Sequence, residues 1–249
     1  MMNQNDQKRI RSLDQKKYRD KYRQFQIEGV RLVESAVLAQ TKIVKLYWTE
    51  SVENQYPDFV TTVINNGIGI TRVTDKEIQS ISYTKSPSGV VGICEIPDSS
   101  DLDVTSNTHW IYLDRISDPG NLGTILRTAA WFDIRHIALS AGCVDPYNPK
   151  TVRSGMGAHF DLNIHPNVQI ELFKKAGYTL IGADISGDDV AISNVQKPWV
   201  LILGGEANGI QQDTLSQCDT ILSIPKLGTG DSLNVASASA ILLYELSKL

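Results

Sequence analysis

Long hydrophobic runs, paired cysteines and histidine clusters are what this 249-residue chain lacks. No apolar stretch approaches the roughly 20 residues that span a bilayer, and the first residues are polar and charged rather than a secretory apolar core. Membrane-spanning and secreted classes are therefore excluded, and a cytoplasmic location is expected. Cys94, Cys143 and Cys218 are odd in number and widely separated. No Cys-x-x-Cys or Cys/His cluster is present to seat zinc or an iron–sulfur centre, so no metal is expected and the thiols read as reduced and buried. His109, His136, His159 and His165 are scattered over strand-like or loop segments, and none is assigned a catalytic role. Two common glycine signatures are missing as well. Gly204-Gly205-Glu206-Ala207-Asn208-Gly209 has the wrong spacing for the dinucleotide-binding G-x-G-x-x-G, and no G-x-x-x-x-G-K-[ST] exists to cradle a triphosphate.

What is present is enough apolar material, 41% of the residues, for one large domain or two ordinary ones. The net charge of −4 conceals a gradient. From Met1 to Arg31 nine cations face four anions, a local +5 that leaves −9 for the rest of the chain. A basic head on an acidic body suits a phosphate-bearing partner, and a solvated amphipathic helix is the alternative reading. Tyr18, Tyr22 and Phe25 stand near these cations, where an aromatic ring either stacks on a base or packs in the core.

Periodicity divides the chain in two. Gln7–Gln24 reads as helix, Phe25–Gly29 as a short strand and turn, and Val30–Ala39 as helix; Ile43–Trp48, Ile68–Val73 and Gly89–Glu95 read as strands, with a helical pattern over Asp58–Asn65. A small α/β domain over residues 1–97 follows, then a polar, turn-rich linker over 98–108 beginning Pro97-Asp98-Ser99-Ser100-Asp101. Over 109–249, apolar runs at His109–Leu113, His136–Leu139, Tyr178–Ala183, Val200–Leu203 and Ile221–Ile224 alternate with helical patterns at Asn121–Phe132, Ile170–Ala176, Ile210–Ser216 and Leu233–Leu246. Such alternation predicts a parallel sheet with helices on both faces, and open sheets of that kind bind ligands at the carboxyl edge of their strands.

Three segments fall at that edge. Asp118-Pro119-Gly120-Asn121-Leu122-Gly123 is a tight turn into a helix, which Asn121 is placed to cap, and Arg127 follows nearly two turns later. The run Leu203-Gly204-Gly205-Glu206-Ala207-Asn208-Gly209 exits one apolar strand. Ile224-Pro225-Lys226-Leu227-Gly228-Thr229-Gly230-Asp231-Ser232-Leu233-Asn234-Val235-Ala236 exits the next and enters the last helix, which Ser232 and Asn234 are suited to cap. Each alone is an ordinary turn. In this order they resemble the three motifs of the SpoU (TrmH-like) RNA ribose 2′-O-methyltransferases of the SPOUT superfamily. Phe25-Gln26-Ile27-Glu28-Gly29-Val30-Arg31-Leu32-Val33-Glu34 is similar to the opening of that family's N-terminal substrate-binding domain, and Asn148–Ala158 to a segment between its first two motifs.

The resemblance implies a C-terminal α/β domain with a deep trefoil knot, S-adenosylmethionine as methyl donor, a ribose 2′-hydroxyl of ribosomal or transfer RNA as acceptor, and a homodimer. It assigns donor binding to Leu203, Gly204, Gly205, Ile224, Leu227, Leu233 and Asn234, and catalysis or its immediate support to Asn121, Arg127, Glu206, Ser232 and Asn234. An arginine keeps its proton in proteins, so clamping phosphate and stabilising developing negative charge suit Arg127 better than acting as a base. Lys17, Arg19, Arg23, Arg31, Lys150 and Arg153 are the expected RNA contacts. Gly205 departs from the family, where many members carry Ser. Two other readings stay open: a knotted RNA-binding or assembly factor without catalysis, and a nucleotide-dependent metabolic enzyme with a Rossmann-like domain.

Overall fold

A computed structural model describes residues 2–99, 102–105, 107–190 and 195–248. These separate into two compact units, Met1–Pro97 with Tyr147–Phe160, and Asp98–Pro146 with Asp161–Leu249.

The first unit opens with α1 (Gln4–Ser12) and α2 (Lys16–Tyr22), where the sequence predicts one continuous helix. Arg19 explains the break: its buried guanidinium turns back to donate to the carbonyls of Leu13 and Asp14, at 2.7 and 2.8 Å, satisfying the exposed end of α1. The unit continues through β1 (Gln24–Glu28), α3 (Val30–Leu38), β2 (Ile43–Trp48), α4 (Glu50–Gln55), α5 (Pro57–Asn65), β3 (Ile70–Arg72), α6 (Asp75–Ile81) and β4 (Val90–Glu95). No element is predicted over 75–81. There Thr74 and Glu77 form a reciprocal capping box that starts α6. The sheet runs β1-β4-β2-β3, antiparallel except for the β2–β3 pair, and α3 covers a core of Phe25, Ile27, Val33, Leu46 and Trp48.

The second unit carries β5 (Trp110–Asp114), α7 (Pro119–Trp131), β6 (His136–Leu139), then, after the excursion, β7 (Asn163–Pro166), α9 (Glu171–Lys175), β8 (Thr179–Asp189), β9 (Trp199–Gly204), α10 (Gln212–Leu215), β10 (Thr220–Ser223) and α11 (Val235–Leu246). Its six strands lie in the order β10-β8-β9-β5-β6-β7, and neighbouring strands pair in parallel. Edge strand β7 is absent from the sequence reading, for its four residues include His165 and Pro166. Leu102 and Val104 pack on this unit's core, so the described part of the expected 98–108 linker belongs to the sheet domain; Ser100, Asp101 and Ser106 lie outside the described residues.

The excursion is α8 (Pro149–Gly155), capped by Asn148 and followed by a 3-10 turn at Ala158–Phe160. The sequence assigns it to the C-terminal domain, yet it packs in the first unit. Tyr147 meets Phe25 with ring centroids 4.9 Å apart, and Val152 joins the same core. Burial of apolar side chains outweighs chain continuity here.

At the start of the parallel strands, Trp110 contacts the rings of His136 and His165, and His109 stacks on Trp199 at 4.2 Å. Burial is the main cause that lowers all three histidines from 6.5; Lys197 adds to the effect at His109 and His165 adds to it at His136, while Asp103 and the Ser99 carbonyl oppose it. Neutral rings in the folded state and protonatable rings in the unfolded chain give stability that is complete above about pH 6.5 and is lost as pH falls through the lowered values. The urea midpoint should therefore drop between about pH 7.5 and about pH 5.5, and His136→Gln should flatten that dependence.

Candidate active site

The three expected segments meet at the carboxyl edge of β9, β5 and β10. Asp118, not Asn121, caps α7: its Oδ1 accepts the Asn121 N–H at 2.8 Å, with Pro119 in the first helical position. The Asn121 side chain is thereby free for longer-range bonds. Its Nδ2 donates to Glu206 Oε1, and its Oδ1 accepts from Asn234 Nδ2 at 3.0 Å. Asn234 also caps α11, its Oδ1 accepting from the N–H groups of Ala236 and Ser237 at 2.9 and 3.3 Å. One hydrogen-bonded chain, Asn234 to Asn121 to Glu206, therefore ties the three segments together.

Close backbone packing holds the middle segment. A Cβ on Gly204 would lie 2.1 Å from both the Gly209 carbonyl carbon and the Ile210 nitrogen, and one on Gly205 would lie 2.6 Å from the Arg115 carbonyl oxygen. The turn closes through the Gly209 N–H to the Gly205 carbonyl at 2.8 Å. Behind it, the buried carboxylate of Asp114 accepts from the Gln211 N–H at 2.8 Å and the Ser140 hydroxyl at 3.1 Å, so each of its two oxygens has a donor. The Gly205–Arg115 contact accounts for the departure from Ser at this position, since a side chain would displace the turn after β5.

The second and third of these segments, with residues of β8, wall a cavity of about 570 Å³; the first reaches its border only through the bonds of Asn121 to Glu206 and Asn234. All seven residues expected to bind the donor line it, as do Glu206 and Ser232. Its apolar lining includes Leu203, Leu222, Val235 and Leu242, and Leu227 stands on its border 98% exposed. Sequence reasoning missed Ala183, Asp184, Ile185 and Ser223, which form the wall from β8 and β10. The signal was available: Tyr178–Ala183 is another apolar run with a polar exit, like the two that were used.

Arg127 is not part of this cluster. Six positions beyond Asn121 it lies about 9 Å along the helix, exposed to solvent, while Leu122, Ile125, Leu126 and Ala129 supply the buried face of α7. The expected RNA contacts all fall in the first unit. Lys17, Arg31, Lys150 and Arg153 are exposed; Arg23 is exposed but donates to the Pro97 carbonyl at 2.8 Å; Arg19 is a correction, being buried on backbone carbonyls where no phosphate reaches it. Gly157, just beyond α8, lies against Ser35 and Leu32 of α3, so Arg31 and Arg153 occupy neighbouring helices. Among the described residues no group of three or more His, Cys, Asp or Glu is placed to hold a metal ion, and no helix is long and apolar enough to cross a membrane.

A glycine-closed turn, a capped helix start and a polar chain around one cavity define a ligand-binding α/β protein of the parallel-sheet class. Comparison makes this specific: the chain belongs to the SpoU rRNA methylase family, whose profile matches residues 108–244, and residues 5–92 match the MRM3-like substrate binding domain. It is 32% identical to the Bacillus subtilis 23S rRNA (guanosine(2553)-2′-O)-methyltransferase RlmP, over 95% of this chain and 93% of that one. Among solved structures, the AdoMet-bound rRNA methyltransferase of Sinorhizobium meliloti is 32% identical with a TM-score of 0.85, covering 100% of this chain and 96% of that one. A putative TrmH-family RNA methyltransferase from Porphyromonas gingivalis is 29% identical with a TM-score of 0.85, covering 98% of each. Family membership sets aside the Rossmann-like metabolic reading.

The double role of Asn234 can be separated. Asn234→Ser keeps a good helix cap and loses the bond to Asn121, so thermal stability should stay near wild type while donor affinity measured by calorimetry falls several-fold; Asn234→Ala should lose about 1 kcal/mol of stability in addition. Equal donor affinity in Asn234→Ser and wild type would show that the link to Asn121 does not shape the cavity.

Proposed function

We propose that this protein transfers a methyl group from S-adenosylmethionine to a ribose 2′-hydroxyl of ribosomal RNA. The observation that carries the reading is the Asn234–Asn121–Glu206 chain on the rim of a cavity lined by every expected donor residue. The cavity suits that donor. Its volume lies in the usual range of roughly 300–1,000 Å³ for small-molecule sites, its lining includes apolar side chains that suit adenine, and the Glu206 carboxylate favours a cationic sulfonium. S-adenosylmethionine supplies the electrophilic methyl group. The protein's task is to hold the ribose oxygen in line with it and to stabilise the charge that develops there.

Residues of this chain divide that task. Leu203, Gly204, Gly205, Ile224, Leu227 and Leu233 enclose the donor through backbone and apolar contacts, and the glycines allow backbone to approach where a side chain would obstruct it. Asn121 and Asn234 fix the Glu206 carboxylate at the reacting end, and Ser232 presents a hydroxyl at the same border. Arg127, exposed on α7, grips the phosphate beside the target ribose. Lys17, Arg31, Lys150 and Arg153 of the first unit draw in the RNA backbone. The proposal includes the family's knotted path. It also places the protein in the cytoplasm, in keeping with three free cysteines.

The first test is transfer of labelled methyl from S-adenosylmethionine to ribosomal RNA lacking the modification, with nuclease mapping. A labelled 2′-O-methyl nucleotide is expected; donor binding without transfer would favour the non-catalytic assembly factor. Arg127→Ala should cut turnover by roughly 10²–10³, the effect of removing one donor to developing charge, and leave donor affinity unchanged. Near-normal turnover would remove Arg127 from the mechanism.

The same reading includes a homodimer. Trp131 at the end of α7 is 85% exposed, and Ile241 and Tyr244 are exposed on α11, a helix that packs against α7. Apolar side chains of this size on adjoining helices suit a self-complementary interface. Light scattering should give twice the 27.5 kDa chain mass, and Trp131→Glu should shift it toward monomer.

A further inference from the structure

We infer that Asp184 recognises the ribose hydroxyls of the methyl donor. The inference rests on S-adenosylmethionine being the donor, and its starting point is a distortion in β8. Ile221 of β10 pairs with Gly182, and the next residue, Leu222, pairs with Asp188, so Ala183 to Gly187 bulge out of the ladder with no residue opposite them. Bulges next to active sites re-aim side chains. This one sends Ala183, Asp184 and Ile185 to the cavity wall.

The bulge is fixed at both ends. Gly187 returns so close to β10 that a Cβ there would lie 2.4 Å from the Ile221 carbonyl oxygen, and the Ser223 hydroxyl donates to the Gly187 carbonyl at 2.8 Å. At the other end, Asp184 Oδ1 accepts from the Ser186 N–H at 2.9 Å and the Ser186 hydroxyl at 2.7 Å. One carboxylate oxygen is thus anchored. The other remains to accept hydrogen bonds from a ligand in the cavity that Asp184 lines.

Register shows which part of the donor it meets. Gly182 of β8 pairs with Ile202 of β9 as the last rung of that ladder, and Asp184 and Gly204, the first glycine of the closed turn, each follow two residues beyond it. In nucleoside-binding parallel sheets a glycine turn brings the backbone to the ligand, and a carboxylate accepts from the ribose hydroxyl. The arrangement here has both parts on adjacent strands. Asp184 stands between Leu203 on β9 and Leu222 on β10, apolar residues suited to the flat adenine ring. Ribose is the group bonded directly to adenine. The reacting end is assigned to Asn121, Glu206 and Asn234, none of which lies on β8.

Asp184→Asn preserves an acceptor for the Ser186 turn and removes the charge. Calorimetry on the full-length protein, with circular dichroism as the check on folding, should show affinity for S-adenosylmethionine falling about ten- to hundredfold. 5′-Methylthioadenosine keeps the ribose diol and lacks the amino-acid portion, so it should lose affinity by the same factor. Its 2′,3′-dideoxy analogue should bind wild type and variant alike. A loss confined to S-adenosylmethionine would put the carboxylate at the amino-acid end and overturn the inference, as would unchanged affinity for all three. Wild-type protein that binds none of them would instead refute the donor assignment itself.

Discussion

Backbone contact at Gly204 and Gly205 is the constraint on which the site depends. The end of β9 passes within van der Waals distance of the Gly209–Ile210 peptide on one side and the Arg115 carbonyl on the other, and any Cβ would force these strands apart. With the turn closed, Glu206 is delivered to Asn121, and Asn121 is free to receive it because Asp118 has taken over the helix cap. Asn234 then joins from the last helix. Steric necessity in the backbone thus comes first, and the polar chain is its consequence.

The polar chain makes a cooperative unit. Each amide uses both ends: Asn234 donates to Asn121 while accepting from α11, and Asn121 donates to Glu206 while accepting from Asn234. Bonds arranged head to tail polarise one another, and removal of the middle member leaves two groups without partners. The arrangement positions a carboxylate without consuming it, since Glu206 still borders the cavity.

Much of this was legible in the sequence, for identifiable reasons. The strands β5, β9 and β10 of the parallel sheet are apolar runs ended by a polar residue or glycine, a pattern that periodicity resolves, and the seven donor-site positions follow from which loops exit β9 and β10. Other features required three dimensions. Arg19 reads as a surface cation because nothing local distinguishes it from Lys17, yet the break after α1 supplies two carbonyls that bury it. Asp184 is legible as the polar exit of an apolar run, but the bulge that carries it to the cavity wall is not, because a bulge is a property of a strand pair and the partner strand is more than thirty residues away in the sequence. The excursion over Tyr147–Phe160 was hidden for the same kind of reason, as its partners Phe25 and Leu32 lie in the first unit.

That excursion bears on how one chain can couple RNA binding to chemistry. A segment lying between the first and second motifs gives its apolar face to the first unit and exposes Lys150 and Arg153 there, in the same unit as Lys17 and Arg31. The chain crosses to the first unit after Pro146 and returns at Asp161, in addition to the single passage at Pro97–Asp98. Three covalent passages restrict the freedom of two bodies more than one does, because each further closure removes chain entropy.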